Sequence, residues 1–91
     1  MSYRYRATPQ FWNNFHALSN AQKDLAREKF RIFHENPFDP RLRTHKIQSL
    51  SSLFKHTVHA VIIEGDLRAV FYIEGDLVVT FNIGTHDIYK T

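Results

Sequence analysis

Three histidines and four cations crowd one stretch of this 91-residue chain. Arg41, Arg43, His45, Lys46, Lys55, His56 and His59 all lie between Arg41 and Ile63, and no carboxylate stands among them. An unperturbed imidazole titrates at about pH 6.5, so these histidines can add charge below neutrality. Lysine and arginine without acidic neighbours concentrate phosphate ligands by their field. The same stretch also suits a solvated basic surface or a docking site for an acidic protein, and charge alone leaves these open. A shared metal is not expected. His56 and His59 are three apart, which in a flat strand sets them on opposite faces, and there is no cysteine to complete a site. No cofactor is implied.

The elements that must position these groups are legible from patterning. Tyr3-Arg4-Tyr5-Arg6-Ala7 alternates aromatic and basic residues, as a short strand does. Thr8-Pro9 then reads as an N-cap followed by proline at the first helical position, and Phe11, Phe15 and Leu18 share one face of the helix that follows. Ser19-Asn20-Ala21-Gln22 fits a capping box, predicting a second helix to about Glu35. Its apolar stripe is Ala21, Leu25, Ala26, Phe30, Ile32 and Phe33, with Lys29 intruding. Asn36-Pro37 ends it, because the residue before proline avoids helical geometry. Pro37 to Leu53 reads as a structured loop pinned to the core by Leu42, Ile47, Leu50 and Leu53. Thr57–Ile63, Leu67–Ile73 and Leu77–Ile83 are three strand-like runs separated by two copies of Ile-Glu-Gly-Asp-Leu.

Register decides what these strands present. Leu67, Ala69, Phe71 and Ile73 should share one face, with Arg68, Val70 and Tyr72 on the other. Leu77, Val79, Phe81 and Ile83 form a second apolar face, which a three-residue turn at Glu74–Asp76 would match to the first. For Val58–Ile63 both parities are apolar. A simple three-residue turn puts His59 in the core; a four-residue loop or a bulge at Glu64–Leu67 turns it toward Arg68 and Tyr72.

Bulk properties bound the rest. The chain has room for a single domain, residues 1–91. Residues 1–63 carry a net charge of +6 and residues 64–91 a net charge of −3. Without cysteine, disulfide staples are excluded. No apolar run approaches the ~18–20 residues of a membrane helix, and Met1–Arg6 is not followed by the apolar segment of a signal peptide. A cytoplasmic protein with no membrane partner is expected.

The predicted layout is α+β: a short N-terminal strand, a two-helix hairpin and a three-stranded antiparallel meander. Along nearly its full length the chain resembles the RelE/ParE toxin superfamily. Asn36-Pro37-Phe38 resembles the turn after that family's second helix. Asp66-Leu67-Arg68-Ala69-Val70-Phe71-Tyr72 is similar to its Y-R-x-x-Y strand, with Leu67 and Phe71 in the aromatic slots. Ile83-Gly84-Thr85-His86-Asp87-Ile88-Tyr89 is similar to its I-G-T/S-H-x-x-Y ending.

The resemblance implies the toxin of a type II toxin–antitoxin pair, bound by a cognate antitoxin. RelE-like members cleave mRNA on the ribosome without a metal; ParE-like members inhibit DNA gyrase, and a degenerate member would only bind antitoxin or RNA. For an endoribonuclease the resemblance assigns Arg68 to the phosphate, His86 to the general acid, and Tyr89 to a base or the 2′-hydroxyl. His59 falls where relatives can carry lysine, as base or phosphate contact. Arg41, Arg43, Lys46 and Lys55 would bind RNA backbone. Each has a plainer use: a strand-surface ion pair for Arg68, a loop cap for His86, an anchor for Tyr89. The meander's first strand departs from the family's basic pattern, offering His59, Val61 and Ile62.

Overall fold

A computed structural model describes residues 2–89 of the chain, except the side chain of His86. The N-terminal part follows its local signals. Strand β1 spans Arg4–Ala7 and helix α1 spans Pro9–His16. Thr8 caps α1, its hydroxyl accepting a hydrogen bond from Phe11 N at 3.3 Å. Helix α2, Asn20–Glu35, opens on a complete capping box: Ser19 Oγ accepts from Gln22 N at 3.1 Å, and Gln22 Oε1 accepts from Ser19 N at 3.0 Å. These bonds satisfy amide donors that the first turn of a helix leaves unpaired. The helix ends at Asn36, which takes extended geometry before Pro37.

The segment from Pro37 is more regular than expected. A 3₁₀ turn at Pro40–Leu42 leads into a two-residue strand β2, His45–Lys46, and a third helix α3, Gln48–Phe54. Three serines and the absence of a side-chain cap hid this helix. Tertiary bonds hold it instead: Ser51 Oγ donates to Ile47 O at 2.8 Å and accepts from Val58 N, also at 2.8 Å. Leu42, Ile47 and Leu50 are buried as expected, but Leu53 is 57% exposed, because α3 turns it outward.

Strands β3 (Val58–Glu64), β4 (Leu67–Glu74) and β5 (Leu77–Gly84) form the predicted antiparallel meander. It sits inside a five-stranded mixed sheet of order β1-β5-β4-β3-β2, with β1 parallel to β5. Both faces are covered. Phe11, Phe15, Ala26 and Phe33 pack on one face against Val61, Ala69, Phe71, Val78 and Ile83. On the other, Ile47 and Leu50 pack against Val58, Ala60, Val70 and Phe81. The sandwich explains why both parities of β3 are apolar.

The β4–β5 turn differs from the expectation. Glu74 pairs directly with Leu77, so the turn is Gly75-Asp76 alone, with Gly75 at φ +63°. That shift turns Val79 away from Phe71 and pairs it with Tyr72. A bulge at Phe81 then restores parity, so Ile83 pairs with Ala69. The apolar set Leu77, Val79, Phe81 and Ile83 is therefore split: Phe81 joins the α3 side and Ile83 the α1–α2 side.

Candidate functional site

Strand β4 delivers Arg68 to the α3 side of the sheet, where it pairs with Ile62 on β3 and Gly84 on β5. Its side chain is only 18% exposed. Arg68 Nη1 donates to Tyr89 Oη at 3.1 Å, and the guanidinium carbon lies 5.7 Å from the Tyr89 ring centroid. Asp66 Oδ1 stands 3.7 Å from Nη2. Nε is buried and makes no hydrogen bond.

Tyr89 reaches Arg68 because the chain folds back immediately after β5. A 3₁₀ turn spans His86–Tyr89, and Ile88 N donates to Thr85 O at 3.0 Å. Gly84 permits the reversal: a Cβ there would stand 2.8 Å from Ile88 Cγ2. His86 opens this turn, and its side chain lies outside the described residues.

A cleft of about 280 Å³ runs beside Arg68, lined also by Arg43, His45, Ile62 and Gly65. His45 is brought here by β2, where it pairs with Ala60 on the face that carries Arg68. Its Nδ1 lies 3.0 Å from Arg43 O. A carbonyl only accepts, so Nδ1 carries the proton and Nε2 keeps a free lone pair in the neutral ring. Sequence patterning gives His45 no role beyond the basic stretch, because its neighbours across the sheet come only with the pairing of β2 to β3. Arg43 adopts φ +53°, a backbone state uncommon outside glycine.

His59 is not part of this cleft. It pairs with Phe71, facing away from Arg68. A bulge does occur near the β3–β4 turn, but it only accommodates the two-residue Gly65-Asp66 turn, and beyond it the strands keep the register of a three-residue one. The imidazole stacks on Phe71 at 5.6 Å and meets Phe38 edge-on at 5.1 Å. Its Nδ1 is buried without a hydrogen bond. Burial first, then the nearby His45 and Lys46, holds its pKa below the ordinary histidine value. His56 lies on the other side, stacked on Tyr72 at 4.6 Å.

The four other cations are dispersed. Arg43 lines the Arg68 cleft. Arg41 is engaged by Asp39, whose carboxylate accepts from Nε and Nη2 at 3.0 Å each and from Arg41 N at 2.9 Å. Those bonds hold Asp39 down at about 2, so the pair adds little net charge. Lys46 pairs with His59 on the far face. Lys55 sits at the end of α3 with φ +58°. Among the described residues no group of three or more His, Asp or Glu could hold a metal ion, and no helix is long and apolar enough to cross a membrane.

Solved structures share this arrangement of elements. A chain of the archaeal RelE–RelB complex from Pyrococcus horikoshii superposes with a TM-score of 0.71 at 14% identity, covering 93% of this chain and 96% of that one. YafQ from E. coli gives 0.73 at 16% identity, over 99% and 100% of the two chains. A conserved hypothetical protein from Helicobacter pylori gives 0.67 at 16%, over 93% and 96%. The fold is that of the RelE-like toxins. No protein-family model matches the sequence, and no curated protein does. The edge strand β2, paired with β3, is what brings His45 beside Arg68, with Arg43 just ahead of it.

Proposed function

We propose that this protein is the toxin of a type II toxin–antitoxin pair, acting as a metal-independent, ribosome-dependent mRNA endonuclease. The observation that carries the reading is Arg68: a largely buried guanidinium, oriented by Tyr89, with an unsatisfied Nε, beside a cleft that also holds His45. The fold supports the same reading, since structures of this fold include a toxin–antitoxin complex of DinJ and YafQ. The partners are a cognate antitoxin, mRNA and the ribosome.

In the proposed reaction a ribose 2′-oxygen attacks the adjacent phosphorus. It loses its proton to a base as the bond to the 5′-oxygen breaks, and that oxygen takes a proton from an acid. The products are a 2′,3′-cyclic phosphate and a 5′-hydroxyl. Arg68 stabilises the charge gathering on the phosphoryl oxygens, as a planar fork of donors does best. His45 Nε2 is the base in place of His59. His86 is the acid, and Tyr89 orients Arg68 and stacks on or bonds to the nucleotide. Arg43 attracts the backbone, while Lys46, Lys55 and Arg41 act at most as peripheral contacts.

The test is mapping of mRNA ends in a reconstituted translation reaction. Arg68→Ala should lower the cleavage rate about 10²–10³-fold, the usual loss for one transition-state donor. Arg68→Lys should recover little of it, because a point charge lacks the fork. His45→Gln should reduce cleavage and His59→Gln should not. Intact transcripts with folded wild-type protein on translating ribosomes would overturn the reading.

A further inference from the structure

On the α3 side of the sheet, beyond Arg68, four rings form a ledge. Phe54 closes α3 and lies on Phe81 of β5, with 4.5 Å between centroids and 39° between planes. Phe81 meets Tyr72 of β4 at 5.8 Å, and His56 stacks on Tyr72 at 4.6 Å with the two planes 9° apart. Phe81 is buried and supports the others, but Phe54 is 37% exposed, and Tyr72 and His56 are half-buried. The ledge is continuous with the Arg68 cleft. Tyr72 and Tyr89 both pack on the small core to which Phe81 belongs, and Tyr89 accepts the bond from Arg68. Arg68 and Tyr72 lie on one face of β4, four residues and so about 13 Å apart. The surroundings suit an anionic chain. Lys55 stands between Phe54 and His56 in sequence, and residues 48–63 hold no carboxylate. Glu74 meets the ledge at the end away from Arg68, 3.7 Å from His56 Nε2.

We infer that this ledge is a base-stacking subsite for single-stranded RNA, holding a nucleotide further along the strand whose phosphate lies at Arg68. The inference rests on the proposed cleavage at Arg68. Three features point to a nucleobase. Exposed rings beside cations make up sequence-tolerant sites for single strands, because every base has a face to stack. His56 and Tyr72 are already nearly coplanar, and Phe54 lies only 31° from the Tyr72 plane, so bases can extend a stack that exists without RNA. The span from Arg68 exceeds the ~3.4 Å rise of one stacked nucleotide, so the base held here is not the one at the scissile phosphate. Helix α3 has no side-chain cap and no charged residue; tertiary contacts set its place, and they leave the Phe54 ring at the surface. An aliphatic side chain would close the edge of the core as well; the ring adds a face for stacking. Stacking there fixes which phosphate reaches Arg68, so the ledge sets affinity and register, not the chemical step.

The experiment uses short single-stranded RNAs made uncleavable by 2′-O-methyl sugars and carrying 2-aminopurine at one position at a time, whose fluorescence is quenched on stacking. They are presented both free and in ribosome complexes. One position should be quenched by the wild-type protein. Phe54→Leu keeps apolar packing but offers no ring; it should abolish that quenching and weaken binding about 5–150-fold, the range of one base–aromatic stack. Phe54→Trp should retain both. Removing the base at that position should cost wild-type protein the same factor, and Phe54→Leu should then cost nothing more. Leu53→Ala, more exposed but outside the ring stack, should change neither. In the cleavage reaction Phe54→Leu should raise KM and blur the cut position while kcat changes little. His56→Leu repeats the test at the other end of the ledge should Phe54→Leu fail to fold, as thermal midpoints will show. The inference is overturned if no position is quenched or if loss of the ring leaves quenching intact. It is also overturned if Leu53→Ala weakens binding equally, the pattern of a general apolar contact such as a protein partner makes. A quenched base without cleavage of transcripts would overturn the nuclease reading alone; cleavage without quenching would overturn the ledge alone.

Discussion

Arg68 and His59 are nine residues apart and lie on neighbouring strands, yet they occupy different environments because a sheet has two faces. Arg68 is desolvated but hydrogen-bonded through Tyr89 and exposed to a cleft. His59 is wedged between two phenylalanines with a ring nitrogen unsatisfied. Its neutral form is therefore favoured by folding, and His34, held down by burial too, behaves alike. The unfolded chain binds protons at these sites from about pH 6.5 downward while the folded chain resists, so stability should fall as pH drops below that value. Thermal melts from pH 7.5 to pH 5 (about) should show this slope, and His59→Gln should flatten part of it, leaving the share of His34. An unchanged slope would show that burial of His59 does not govern its proton. The sequence posed the His59 question in the right form, as a choice of face. It could not answer it, because β3 is apolar on both faces.

At the level of elements, the turn that closes the chain around the site depends on Gly84. This glycine needs no unusual backbone angle; its role is to leave room for Ile88, a branched side chain that cannot easily swing aside. Gly84→Ala should lift the His86–Tyr89 turn, costing about 1–3 kcal/mol as an overpacking change. It should also weaken the Tyr89–Arg68 bond, so that cleavage falls further than stability predicts. Chemical denaturation paired with the cleavage assay checks both. Capped helices, proline stops and glycine turns were all readable because their signals are local. Helix α3 and strand β2 were not, because both exist by packing on β3 and carry no signal of their own. Missing them hid His45 as well, since a histidine in a loop has no predictable neighbour. The bulge at Phe81 escaped for a related reason: alternation implied an unbroken strand, and only burial on both sides rewards the interruption.

For the molecule as a whole, stability rests on few large residues. Phe33 is fully buried, packs edge-on to Phe71 at 5.0 Å, and its carbonyl accepts from Tyr5 Oη at 3.0 Å. It joins α2, β1 and β4 at a single point. Phe33→Ala should cost about 3–5 kcal/mol, a large part of the ~5–15 kcal/mol typical of a small domain. Denaturant titration should place its midpoint well below that of Leu53→Ala, whose exposed side chain contributes little.

Strand β1 pairs only with β5, so among the described strands the first to be made is bonded to the last. Arg4 even closes on Asp76, its Nη2 donating at 2.9 Å. During synthesis, which proceeds at about 5–20 residues per second, β1 has no partner until β5 follows it out. Its unpaired edge and the aromatic side chains of α1 must wait until residues 77–84 have been made. A chain stalled before residue 77 would therefore lack both the sheet that carries Arg68 in place and the turn that brings Tyr89 to it. By this geometry the surroundings of Arg68 are assembled together, once β5 and the turn after it have been made, rather than strand by strand.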